Sequence, residues 1–145
     1  MKETLAIACD HGGYALKEAI KDRLKGKYEV LDLGTNSLES VDYPAYGKAI
    51  AQAIIDGKAR RGIAICGSGI GISIAANRFP QIRAALCTSA DMARLSRQHN
   101  DANVLALGAR LTAEAEAIEM IDIFLTTDFE GGRHEKRVSQ LCSTN

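Results

Sequence analysis

The sequence lacks a net charge: Lys and Arg number 18, as do Asp and Glu. It therefore has no broad field to attract nucleic acid or anionic lipid, and any anion selectivity must come from locally placed arginines. It lacks a long apolar run, so no segment approaches the roughly 20 residues of a membrane span. Residues 1–4 lead directly into a short apolar strand without the apolar core of a signal peptide, and no secretion signal is expected. Cys9, Cys66, Cys87 and Cys142 form no C-x-x-C pair. That scatter predicts reduced thiols in a cytoplasmic protein rather than a disulfide framework. Three histidines without paired carboxylates at ligand spacing do not suggest a metal site, so no metal is expected. Internal repeats, low-complexity segments and linkers are absent too. What remains is 46% apolar and 25% charged residues, the balance of an ordinary globular protein. Residues 1–145 read as one domain able to bury its own core.

The chain alternates between two periods. Residues 5–9 read as a first strand, followed at once by Asp10-His11-Gly12-Gly13. Leu16, Ile20 and Leu24 then recur at helical spacing, with Lys17, Glu18, Lys21 and Asp22 on the other faces. Residues 29–33 read as a second strand and 34–43 as a polar loop. Pro44 opens a second helix, where its missing N–H is harmless. Strands are expected at 62–66, 83–87 and 103–107. Ser89 is placed to cap the helix after the fourth strand, with Met92 and Leu95 on its buried side. Thr112 is placed to cap the next one, and a basic C-terminal helix begins at about residue 133. Five strands alternating with helices predict an α/β fold: a Rossmann-like, doubly wound parallel sheet with helices on both faces.

The chain is organised around Ile65-Cys66-Gly67-Ser68-Gly69-Ile70-Gly71, a buried strand running into a glycine-rich turn and a helix. The glycines let a ligand approach main-chain N–H groups closely, and N–H groups at such a turn stabilise negative charge. A thiol at this junction, Cys66, is expected to carry thiolate character. The dinucleotide pattern G-x-G-x-x-G fails because Ile72 follows Gly71, and G-x-x-x-x-G-K-[ST] is absent. A phosphatase-type loop would need an arginine shortly after the cysteine, and none occurs before Arg78.

Open α/β sheets bind ligands beyond the carboxyl ends of their strands. Asp10 and His11 follow the first strand there, Cys66 the third, and Arg110 the fifth. On the last helix, Arg133, Lys136 and Arg137 share a face, either a solvated basic surface or a clamp for a phosphate or carboxylate. His134 points elsewhere and is given no role. His99 and Asn100 come after the fourth helix, on the amino edge of the sheet and a strand's length from Cys66. If His99 acts in catalysis, it is expected to reach the site of a second subunit.

Taken together, Cys9-Asp10-His11-Gly12-Gly13, Asp42-Tyr43-Pro44, the 65–71 loop, Ser96-Arg97-Gln98-His99-Asn100-Asp101 and Glu130-Gly131-Gly132-Arg133-His134 resemble the ribose-5-phosphate isomerase B family and its galactose-6-phosphate isomerase relatives. The resemblance implies a cofactor-independent aldose–ketose isomerase of sugar phosphates, working as a homodimer or homotetramer with shared sites. It casts Cys66 as the base moving a proton between C1 and C2, with Ser68 in the same loop. His99 would assist ring opening, with Asp10 beside it. Gly67, Ser68, Gly69, Ile70 and Gly71, with Asn100, would hold the enediolate oxygens. His11, Arg110, Arg133 and Arg137 would hold the phosphate, with Tyr43 lining the substrate site. Ser68 stands where threonine is common, and Gly12 where alanine is frequent. A hexose-phosphate isomerase is the nearest alternative. A non-catalytic phosphosugar-binding or phosphocarrier domain ranks behind it, because Asp10, His99 and the arginines would be surplus to a carrier.

Overall fold

The computed structural model describes residues 1–143. Five parallel strands form one sheet in the order β2-β1-β3-β5-β4, comprising β1 (Thr4–Cys9), β2 (Glu29–Asp32), β3 (Arg61–Cys66), β4 (Ala84–Leu86) and β5 (Val104–Gly108). The helices are α1 (Tyr14–Leu24), α2 (Tyr43–Ile55), α3 (Ile70–Ala76), α4 (Ala90–Asn100), α5 (Glu114–Thr126) and α6 (Arg133–Leu141). Among the described residues, no helix is long and apolar enough to cross a membrane.

Side-chain alternation along the central strands builds two unlike cores. Leu5, Ile7, Ile63, Ile65, Leu105 and Leu107 face one side, where Leu16, Ile20 and Leu24 of α1 and Met120, Ile121 and Phe124 of α5 pack on them. The opposite face is built of Ala6, Ala8, Ala64 and Cys66, with Ile50 and Ala51 of α2 and Ile72 and Ala76 of α3. The small side chains let α2 approach closely: a Cβ at Gly62 would lie 2.6 Å from Ile50. The residue pairs Cys9↔Ile65 and Cys66↔Gly108 align the carboxyl ends of β1, β3 and β5. All three strands thus discharge their loops at one edge.

Four local expectations are corrected. Lys17 is not on a solvated face but fully buried; its Nζ donates to Asp32 Oδ1 at 2.7 Å and Asn36 Oδ1 at 2.9 Å. Burial pushes the Asp32 carboxyl up, but hydrogen bonds from Lys17, Lys21 and the Gly34 N–H outweigh it and hold the group below its ordinary value. Met92 and Leu95 are exposed rather than buried, because α4 turns Ala93 and Ser96 inward. Ala113 rather than Thr112 precedes α5, and no side chain caps it. Ser89 does cap α4, accepting the Met92 N–H. The fourth strand is shorter than the sequence suggested, ending at Leu86.

Candidate active site

The loops after β1, β3 and β5 are tied together by main-chain hydrogen bonds. Asp10 N–H donates to Ile65 O at 3.1 Å, Ala109 N–H to Cys66 O at 2.9 Å and Arg110 N–H to Gly67 O at 2.9 Å. Asp10 is buried, and one of its oxygens caps a one-turn 3-10 helix (His11–Gly13) by accepting the Gly12 N–H at 2.9 Å. His11 Nδ1 accepts the Val41 N–H at 3.1 Å, so the neutral ring carries its proton on Nε2.

Cys66 ends β3, and its Sγ accepts the Gly69 N–H at 3.2 Å. That contact requires a tight reversal, which Gly69 makes at φ +79°. Ser68 Oγ accepts the Ile70 N–H at 3.1 Å. Gly71 faces the Tyr43 ring so closely that a Cβ would lie 2.5 Å from it. The Arg110 side chain lies along Gly67, where a Cβ would stand 3.3 Å from its Cδ.

These groups border a cleft of about 550 Å³ lined by Asp10, Tyr43, Cys66, Gly67, Ser68, Ile70, Gly71, Ile74, Arg110 and Leu111, a size that accommodates a small ligand. Gly69 lies beneath the loop, buried, and His11 stands beside the cleft without lining it. Around it Tyr43, Ile70, Ile74 and Leu111 expose apolar surface. No ion pair engages Arg110 among the described residues, so its guanidinium is free to meet an anion.

A second group of expected site residues lies elsewhere. His99 and Asn100 end α4, just before β5 begins, and so sit at the amino edge of the sheet. Asn100 borders a separate cavity of about 420 Å³ with Arg83 and Leu141. Arg133 and Arg137 are exposed on α6, which packs on α4. One chain does not bring this group to the Cys66 cleft.

His134 and Glu130, given no role from the sequence, join this second group. His134 is buried, and its ring stacks on His99 with centroids 4.3 Å apart and planes at 14°. Desolvation, reinforced by His99 and Arg133, holds the His134 imidazole below its ordinary pKa. Glu130 Oε1 lies 3.5 Å from His134 Nε2 and 3.9 Å from His99 Nε2. The i,i+4 spacing of Glu130 and His134 was the available signal. The remaining thiols separate by environment: burial pushes both Cys9 and Cys87 up to about 11, whereas Cys142 is exposed.

Residues 5–141 match the family model described as Ribose/Galactose Isomerase. The chain belongs to this family. Ribose-5-phosphate isomerase B of Escherichia coli K12 is 47% identical over 140 residues, covering 96% of this chain and 94% of that one. Among solved structures, ribose-5-phosphate isomerase B of Clostridium thermocellum superposes with a TM-score of 0.94 at 53% identity, covering 96% of this chain and 95% of that one. The Mycoplasma genitalium enzyme, solved with bound ribulose-5-phosphate, gives 0.93 at 40% identity, with 98% and 95% covered. Family membership thus extends over both groups of residues, the Cys66 cleft and the α4–α6 cluster.

Proposed function

We propose that this protein interconverts ribose 5-phosphate and ribulose 5-phosphate through an enediolate, without a cofactor. The observation that carries the reading is the meeting of the Cys66 thiol, the Asp10 carboxyl and the Arg110 guanidinium around one cleft. Isomerisation removes a proton α to a carbonyl, so it needs a base at the carbon and donors at the oxygens that gain charge. Cys66 is the base, carrying the proton between C1 and C2. The 67–71 loop and the Ser68 hydroxyl cradle the enediolate oxygens, and Asn100 adds a side-chain amide. Tyr43 walls the sugar. The phosphate, remote from the reacting carbons, supplies binding energy through Arg110, Arg133, Arg137 and His11 Nε2–H.

Ribose 5-phosphate is a furanose for most of its lifetime in water, so the ring must open before C2 can lose a proton. An acid–base group near neutrality suits that step, and His99 with Asp10 supplies it. Because His99, Asn100, Arg133 and Arg137 lie at the amino edge, a second copy of the chain delivers them. The apolar surface of Tyr43, Ile70, Ile74 and Leu111 around the cleft supports a homodimer closing over it, and the exposed Met92 and Leu95 of α4 offer further surface for that dimer or a pair of dimers. The free cysteines support a reducing, cytoplasmic location.

Adding ribose 5-phosphate to the purified protein in EDTA tests the activity. Accumulation of ribulose 5-phosphate to equilibrium is expected. Absence of ketose from ribose 5-phosphate, with turnover of a hexose 6-phosphate instead, would replace the pentose assignment.

A further inference from the structure

We propose that His99, Glu130 and His134 form a binding site for a divalent transition-metal ion of the zinc or cobalt type, and that its occupancy withdraws His99 from the reaction. The second clause rests on the ring-opening role proposed for His99; the binding itself does not. The donor atoms of the three residues all lie within 4.8 Å of one another. At 3.5 and 3.9 Å from Glu130 Oε1, both Nε2 atoms are too distant for hydrogen bonds. They are close to the roughly 3.3–3.5 Å that separates ligands arranged tetrahedrally about an ion with bonds of about 2.0–2.1 Å. Two imidazole nitrogens and one carboxylate oxygen are a donor set suited to zinc and cobalt, with a fourth position left for water.

The three side chains lie near one another, and because the His99 and His134 rings stack at 14°, the half-exposed His99 ring must swing out of the stack for both in-plane lone pairs to meet one ion. His134 is buried under His99. The chain bearing Glu130 is pinned to α4 by its own N–H donating to Gln98 O at 3.1 Å, and by Arg97 Nε donating to Thr127 O at 3.1 Å. In the single chain the His99 and Glu130 side chains are 38% and 50% exposed.

The test is titration of the EDTA-stripped protein with CoCl2, followed by visible absorption, and with ZnCl2, followed by calorimetry. One ion per chain is expected, with tetrahedral cobalt bands and no thiolate charge-transfer band. His134→Gln and the more conservative surface change Glu130→Gln should each weaken binding about tenfold or more, while Cys142→Ser leaves it unchanged. Undiminished affinity in both of the first two variants, or binding that disappears with Cys142→Ser, would overturn the site. Zinc should also inhibit ribose 5-phosphate turnover, with the inhibition relieved in Glu130→Gln. Tight, His134-dependent binding without inhibition would uphold the metal site and overturn only the role given to His99.

Discussion

The Gly69 main-chain N–H points at the Cys66 sulfur from 3.2 Å, across a turn that only the left-handed backbone at Gly69 permits. The thiol is thereby fixed in the wall of the cleft. Cys66→Ala should lower kcat about 10³-fold or more, the range of a lost general base, while calorimetry records ribose 5-phosphate binding within a few-fold of wild type. Retained turnover would remove Cys66 as the base.

Two glycines of the same loop should respond differently. A Cβ at Gly69 would stand 2.6 Å from Leu86 and 2.8 Å from the Leu107 main chain, on a backbone already at φ +79°. Gly69→Ala should therefore cost about 2 kcal/mol or more of stability, read as a lower Tm. At Gly71 the obstacle is the Tyr43 ring, the end of a partly exposed side chain that can swing aside. Gly71→Ala should leave Tm nearly unchanged and raise KM, because the displaced ring intrudes on the cleft.

Complementation between subunits tests the shared site. Cys66→Ala and His99→Asn should each be inactive alone. Unfolded together and refolded as a mixture, they should recover about a quarter of wild-type activity, since half the dimers are hybrids with one intact site in two. A mixture as inactive as its parents would place His99 outside the partner's site.

Lys17 and Asp32 predict an acid limb of stability. The folded-state pKa of Asp32 is lowered, so its contribution is present above the ordinary carboxylate value and is lost as pH falls through the folded-state pKa. Asp32→Asn leaves buried Lys17 with only the more distant Glu18 carboxylate, 3.7 Å away, and should cost about 3 kcal/mol. Urea unfolding at neutral pH measures that loss. The gap between wild type and variant should narrow as pH falls below about 4.

Much of this architecture was legible in the sequence because period and punctuation agreed. The strand at 62–66 and the glycines after it predicted the loop that carries Cys66, and chain order alone placed Asp10 and Arg110 at the same edge. Lys17 was misread because a lysine at a helical position ordinarily reports a solvated face; its partners Asp32 and Asn36 are distant in sequence. Met92 and Leu95 were misread for the converse reason, since an apolar stripe does not distinguish a core from an interface. The His99–His134 stack was invisible because its members lie on α4 and α6, whose packing no local pattern encodes.

The most direct measurement of the proposed chemistry is turnover of ribose 5-phosphate in deuterated water, with Cys66→Ala run alongside. The wild type should form ribulose 5-phosphate with solvent deuterium entering at C1 during interconversion, and Cys66→Ala should show neither turnover nor exchange. Ketose formed by the wild type with no solvent label under prolonged cycling, or exchange undiminished in Cys66→Ala, would contradict proton transfer by this thiol through an enediolate.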